Sequence, residues 1–421
     1  MKKKILIHSI VFSPDGVSTA YLYNDIALKF VDSGFEVVIL TTTPHYNLVK
    51  EELMKQPLTA RWGGLYYESN YHNIKVIHVP QRKFKSSLLR IVGFVYWHLI
   101  SLILGLVQKN VSLILSPSPP LSIGLVSIII AKLKKAKVIY NVQEIYPDFL
   151  INQGSLKFKP VINILKSLER FVYNHSDAVT TIDSVFYNTI QDRFRDKSKL
   201  MVIPNFVDTE IFRPLSLNHS ALDQQLFPPK GNVLKLMYAG NIGHAQDWAP
   251  LIEVAKNLKH LPVEFWIIGE GVMKLKLQDD IKFNSLKNIH LVPYQPREHM
   301  PVLIAYADIH FIFMSPEMDG QGFPSKVYTI MACAKPLLVA SAINTPLNNF
   351  LRQTDSAILV ESDSLNDKCN LITEHIKEVL LNPTKIKRLG ENGFNVIQKS
   401  YSKESVTTQY IQLANKILVH K

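Results

Sequence analysis

In the run Gly322-Phe-Pro-Ser-Lys-Val-Tyr-Thr-Ile-Met-Ala-Cys-Ala-Lys-Pro336, a glycine, a proline, a hydroxyl and an ammonium stand within five residues. The small and apolar positions that follow read as a buried helix. Its opening turn carries the cation Lys326, where the helix dipole is already positive. An anion seated there resolves that conflict. First-turn N–H groups, the Ser325 hydroxyl and the Lys326 ammonium would together hold a diphosphate, with Gly320 and Gly322 easing close backbone approach. Negative charge growing on that diphosphate as a bond to it breaks would be stabilised by the same groups. Without further context the same residues also read as a serine cap beside a solvated lysine.

Other candidates sit where apolar runs end. The loops Gly240-Asn-Ile-Gly243 and Gly269-Glu-Gly271 each follow a buried strand pattern, so their backbone can approach a phosphate or sugar, although a lone G-x-G is more often only a turn. Ser13-Pro-Asp-Gly-Val-Ser18 follows the first apolar run, and Gly16 would let it come close to phosphates. A plain strand–helix connection with Ser18 as N-cap is the alternative. Glu144 and Asp148, in Val142-Gln-Glu-Ile-Tyr-Pro-Asp148, could accept a proton or steady a cationic centre, or Asp148 could only cap the next helix.

These loops need a scaffold. Residues 5–11 read as a strand, 19–32 as a helix closed by Gly34 and 35–41 as a second strand, the opening of a parallel α/β sheet. The pattern recurs with strands at 111–116, 137–142, 178–182 and 200–203 and a helix at 121–133. Residues 206–232 break it as a linker. It restarts with strands at 234–239, 263–268, 289–292, 308–313 and 337–340. The expected division is a Rossmann-like domain over 1–205, a second over 233–395, and a helix at 396–421 returning toward the first. Two such sheets facing across a cleft would place both sets of loops on the cleft walls.

Composition fits a globular chain of 421 residues: 47% hydrophobic, 19% charged, net charge +12. Residues 1–210 hold 25 Lys and Arg against 16 Asp and Glu, whereas 211–421 hold 22 against 19, so the basic excess sits in the first half. That points to an anionic partner, and the absence of a recognition module argues against nucleic acid. Cys333 and Cys369 form no disulfide framework or metal spacing, which fits a reducing, cytoplasmic setting. Ile5-Leu-Ile is too short for a signal peptide. The apolar segment 91–107 lies at the lower limit for a membrane span. Tyr96, Trp97 and His98 at its middle favour a buried or interfacial helix, with Lys83, Lys85 and Arg90 nearby to meet anionic lipid.

Taken in order, "KKKILIHSIVFSPDGVSTAYLYNDIALKFVDSGFEVVILT", "SPSPPLSIG", "NVQEIYPD", "VIPNFVDTEIFRP", "YAGNIGHAQDWAPLIEVA", "IIGEGVMK" and "FPSKVYTIMACAKPLLVAS" resemble the retaining glycosyltransferases of family 4, which have the GT-B fold. The likeness extends to bacterial transferases of amino sugars such as N-acetylfucosamine in O-antigen or capsule synthesis. It implies a UDP-sugar donor, no metal or other cofactor, a polyprenyl-diphosphate-linked saccharide acceptor, and work at the inner face of the cytoplasmic membrane by a peripherally attached enzyme.

By that resemblance Lys326, Ser325, Gly322, Gly16, Asn241, Gly243, Gly269 and Glu270 would bind the donor, and Asp15, Ser18, Glu144 and Asp148 would meet the acceptor, with Lys326 and Glu144 catalytic. Gln321 and Thr329 match positions where relatives have glutamates contacting the sugar and ribose. Asn241 and His244 stand where relatives have an arginine and a lysine, and Gln143-Glu144 where many have a histidine followed by an acid. A nucleotide-sugar epimerase of the same architecture and a non-catalytic scaffold are the rival readings.

Overall fold

The computed structural model describes residues 2–48, 50–81, 87–216, 222–229, 231–318, 324 and 326–419. The chain divides into two compact units, Met1–Asn205 with Val406–Lys421, and Phe206–Ser405.

The first unit runs β1 (Lys4–His8), α1 (Ser18–Asp32), β2 (Glu36–Thr42), α2 (Lys50–Lys55), β3 (Thr59–Arg61), β4 (Tyr66–Tyr71), β5 (Ile74–Val79), α3 (Ser87–Val107), β6 (Val111–Pro117), α4 (Leu121–Lys134), β7 (Lys137–Val142), α5 (Asp148–Asn152), α6 (Lys159–His175), β8 (Ala178–Thr181), α7 (Ser184–Ile190) and β9 (Leu200–Val202). The sheet order is β3-β4-β5-β2-β1-β6-β7-β8-β9. All pairings are parallel except β3–β4 and β4–β5, an antiparallel edge that the sequence reading does not contain. The central strands are continuous apolar runs because helices cover both faces. β1 lies between β2 and β6, so the strand order reverses there, and the carboxyl ends of β1 and β6 are where sheets of this kind take ligands.

One charged knot of this unit is partly buried. Arg193 binds both Glu169 of α6, a residue 1% exposed, and Asp148, the first residue of α5. Burial pushes the Glu169 carboxyl up to about 7 against the pull of Arg193. Removing the guanidinium would strand two carboxylates, one of them dry. Arg193→Met is therefore expected to cost about 2 kcal/mol, discounted for the partial exposure of Asp148 and checked by thermal unfolding.

The second unit runs β10 (Leu234–Ala239), α8 (Ala249–Leu258), β11 (Val263–Ile268), α9 (Lys274–Phe283), β12 (Ile289–Val292), α10 (Met300–Tyr306), β13 (Ile309–Phe313), α11 (Lys326–Ala332), β14 (Leu337–Ser341), α12 (Pro346–Thr354), β15 (Ala357–Glu361), α13 (Leu365–Leu381) and α14 (Thr384–Val396). Its six strands, ordered β12-β11-β10-β13-β14-β15, are all parallel. The order reverses between β10 and β13. Phe227, from the stretch read as a linker, is buried in this unit, its ring 5.8 Å from Trp266 and 5.5 Å from Tyr306. α15 (Lys403–Val419) begins in the second unit, and from Val406 on it belongs to the first, where Tyr410 is buried and its hydroxyl is hydrogen-bonded to Thr180. Among the described residues no helix is long and apolar enough to cross a membrane.

Candidate active site

In the second unit the loops after β10, β11 and β12 are bound into one edge by their own backbone. Gly240 N–H donates to Ile268 O (2.9 Å), Ile242 N–H to Glu270 O (2.8 Å), and Gly269 N–H to Val292 O (3.1 Å). A Cβ on Gly240 would lie 2.6 Å from Lys326 Nζ, so the ammonium stands directly against this loop. Lys326 is the first residue of α11, and its Nζ also lies 3.8 Å from the centroid of the Tyr238 ring. Among the described residues no carboxylate pairs with it. Burial pulls this amine down to about 7, since desolvation penalises its charged form. A cation over a ring face, held against a glycine loop at a strand-order reversal, can receive an anion with little rearrangement.

The other donor candidates are placed as follows. Asn241 is exposed, and its carbonyl accepts the Tyr238 hydroxyl at 2.7 Å. Gly243 is buried and its carbonyl accepts Trp248 Nε1–H at 3.2 Å. Gly269 is buried in the paired loops, whereas Glu270 is exposed and forms an ion pair with Lys274 at 2.6 Å. The hydrogen bond and charge of Lys274 hold the Glu270 carboxyl below its ordinary range. Thr329 lies one turn along α11 from Lys326 and is partly exposed. Gln321, Gly322 and Ser325 lie outside the described residues, as does Gly320.

Beside this edge a cavity of about 320 Å³ is lined by His244, Asp247, Trp248, Lys276, Asp280 and Ser315 among others. The Ser315 hydroxyl is buried without a hydrogen-bond partner. Sequence reasoning did not single out Tyr238 or Ser315. Tyr238 is inside a strand and looked like core, and no spacing marks Ser315.

In the first unit the loop after β1 folds onto the segment after β2. Asp15 is 2% exposed, and its Oδ1 accepts the N–H groups of His45 (2.8 Å) and Tyr46 (2.7 Å). That carboxylate organises backbone. Gly16 N–H donates to Tyr46 O at 3.0 Å. Ser18 is exposed and is the first residue of α1. The N-cap is Val17, with no side-chain cap, so the capping alternative for Ser18 is not what the fold uses. Glu144, partly exposed at the carboxyl end of β7, is hydrogen-bonded by Tyr146, yet burial raises its carboxyl above the ordinary range. Asp148 is drawn away to Arg193. Gln143 joins a network in which its Nε2 donates to Asn141 Oδ1 (2.7 Å) and Asn205 Oδ1 (3.0 Å). Among the described residues no three His, Cys, Asp or Glu side chains converge as a metal site requires.

Residues 21–211 match the family described as Glycosyltransferase Family 4, and residues 222–396 match Glycosyl transferases group 1. Escherichia coli (strain K12) has a relative described as the putative colanic acid biosynthesis glycosyl transferase WcaI, 22% identical over 97% of this chain and 98% of that one. A UDP-Gal:alpha-D-GlcNAc-diphosphoundecaprenol alpha-1,3-galactosyltransferase of Escherichia coli is 24% identical over 50% of this chain and 54% of its own. Among solved structures, Anabaena Alr3699/HepE in complex with UDP superposes with a TM-score of 0.71 at 14% identity, over 98% of this chain and 100% of that one. Sucrose-phosphate synthase from Thermosynechococcus elongatus superposes with a TM-score of 0.74 at 12% identity over the whole of both chains. The fold is GT-B.

Proposed function

We propose, from the premise that this chain belongs to the glycosyltransferases, with a family 4 region followed by a group 1 region, that it moves an N-acetylated amino sugar from a UDP-linked donor to a saccharide on a polyprenyl diphosphate. The product serves surface polysaccharide synthesis such as O-antigen or capsule, made at the inner face of the cytoplasmic membrane. The observation that carries this reading is Lys326, a desolvated ammonium set against Gly240 at the strand-order reversal of the second unit.

There the donor diphosphate meets Lys326, the Gly240–Gly243 backbone and the start of α11. As the sugar–phosphate bond breaks, the departing UDP gains negative charge that the ammonium stabilises. The acceptor hydroxyl attacks from the same face, its proton passes to the leaving diphosphate, and configuration is retained. This mechanism needs positioning and charge more than acid–base groups, which suits a site with few of them. No metal takes part in it. HepE, a structural neighbour, binds UDP, and the name of the galactosyltransferase relative contains a diphosphoundecaprenol acceptor. Both support the donor and acceptor classes.

Incubation with a panel of UDP-sugars and a bacterial lipid extract, followed by mass spectrometry, tests the reading. A lipid-linked product one sugar heavier is expected. An altered sugar nucleotide formed without acceptor would favour an epimerase, and calorimetry showing no donor binding would favour a scaffold.

Glu144 is assigned the acceptor side, where a carboxylate receives a hydroxyl hydrogen bond or steadies the cationic sugar centre. Its carboxyl titrates above the ordinary range, so kcat/KM should rise with pH through that raised value as the carboxylate forms. Glu144→Gln is expected to lower the plateau by about 10- to 100-fold and to flatten the acid limb. A pH–rate profile with the limb unchanged in the variant would remove Glu144 from the mechanism.

A further inference from the structure

α3 is apolar on its outer as well as its inner face. Trp97, Ser101 and Leu104 are buried, and His98 Nε2 meets Ser122 Oγ of α4 at 2.9 Å, so this face of the helix packs on the protein and takes Ser101 and His98 with it. Ile91, Val92, Val95, Leu99, Ile103 and Val107 point the other way, each between 50% and 62% exposed. A water-facing helix of a soluble domain has polar and charged residues on that outer face.

The apolar surface continues onto two neighbours. The connections β5 to β6, β6 to β7 and β7 to β8 all advance in one direction across the sheet, and right-handed crossovers put α3, α4 and α6 on one face. α4 adds exposed Ile129 and Leu133, and α6 adds Val161 and Ile164. α3 and α4 contain no Asp or Glu, and the single carboxylate of α6, Glu169, is buried against Arg193. Exposed Lys132, Lys135, Lys159, Lys166 and Arg170 border the aliphatic side chains.

We propose that this three-helix face docks on an anionic phospholipid surface, aliphatic side chains entering the interfacial layer and the lysines meeting headgroup phosphates. A second copy of the chain is a poorer occupant, since a two-fold contact would set this lysine border against an identical one with no carboxylate to offset it. The surface extends the membrane location proposed above, and it stands on the first unit's geometry alone. The first turns of all three helices lie at the carboxyl edge of the sheet, the edge that also holds Glu144. Docking would therefore keep that edge close to a lipid-carried substrate.

Flotation of the full chain with phosphatidylglycerol/phosphatidylethanolamine vesicles, against pure phosphatidylcholine, is the test. Binding is expected to the anionic vesicles, weaker at high salt, and about tenfold or more weaker in the triple variant Val95→Glu/Leu99→Glu/Ile103→Glu. Unchanged thermal unfolding and unchanged UDP binding would show that the variant is folded. A second measurement keeps the surface apolar: Leu99→Cys carrying an environment-sensitive dye, the two native cysteines being buried. Its emission should shift to the blue on anionic vesicles. Equal partitioning of wild type and triple variant, or no binding of wild type at low salt, overturns the proposal while leaving donor binding and sugar transfer intact. A blue shift that needs no vesicles and grows with protein concentration overturns it in favour of a second copy.

Discussion

Replacing Lys326 by methionine is expected to lower kcat with a UDP-sugar by about 100- to 1000-fold, the scale on which one group aimed at developing charge acts. The same change should make the free protein more stable. Lysine ordinarily titrates at 10.5, and burial brings Lys326 to about 7. Between those values the unfolded chain binds a proton that the folded chain does not, so wild-type stability rises as pH climbs from 7 toward 10.5. At pH 7 and below, the folded protein carries the desolvated charge at full cost. Lys326→Met removes that cost, a gain of about 1–2 kcal/mol at neutral pH, and flattens the pH dependence above it. Donor binding should do the reverse to the wild type. A diphosphate beside the amine favours its charged form, so binding at pH 8 takes up a proton, and the calorimetric heat depends on the buffer. A variant as active as wild type, together with heats that ignore the buffer, would sink the phosphate role.

The second large effect is expected at Gly269. Its φ is +146°, and a Cβ there would fall 2.0 Å from the Gly240 carbonyl oxygen. That oxygen is backbone, and the Gly240 N–H beside it is bonded to Ile268 O, so it cannot swing aside as a side chain would. Gly269→Ala should cost about 4 kcal/mol and lower the thermal transition of the second unit, which holds Trp248 and Trp266 as reporters. Gly240→Ala is the informative contrast. Its φ of +150° is similar, but its Cβ would meet the far end of a flexible lysine, 2.6 Å from Nζ. It should retain more of the fold and lose donor affinity. Equal stability losses in the two variants would contradict the distinction between a rigid and a yielding neighbour.

The central strands of both sheets were legible because parallel strands covered on both faces are runs of Ile, Leu and Val, and the loops that end them follow directly; the edge strand β15 went unread in the second sheet. The β3–β4–β5 edge was not legible either. Tyr66-Tyr-Glu-Ser-Asn-Tyr71 is half-polar, and its pairing is decided by β5 across the hairpin rather than by its own composition. Lys326 could be picked out because a cation opening an apolar helix conflicts with local electrostatics. Its partner Tyr238 could not, since a tyrosine within LKLMYA has the signature of any core strand residue. Asp15 shows the converse. A carboxylate in a glycine-containing loop looks available for chemistry, and its two backbone N–H partners lie some thirty residues away, beyond the reach of local pattern. Arg193 was missed for the same reason: the carboxylates that hold it come from α5 and α6.

The final helix belongs to both halves of the protein. The polypeptide passes between the units at Asn205–Phe206 and again at Ser405–Val406, so the amino-terminal half is assembled from two separate stretches of chain. A gene truncated after residue 205 would encode that half without the α15 segment carrying Tyr410, Leu413 and Ala414, and would leave bare the hydrophobic patch those side chains normally cover. Neither half can be dissected out by a single cut. A working amino-terminal fragment would need this helical segment supplied as a fusion or as an added peptide.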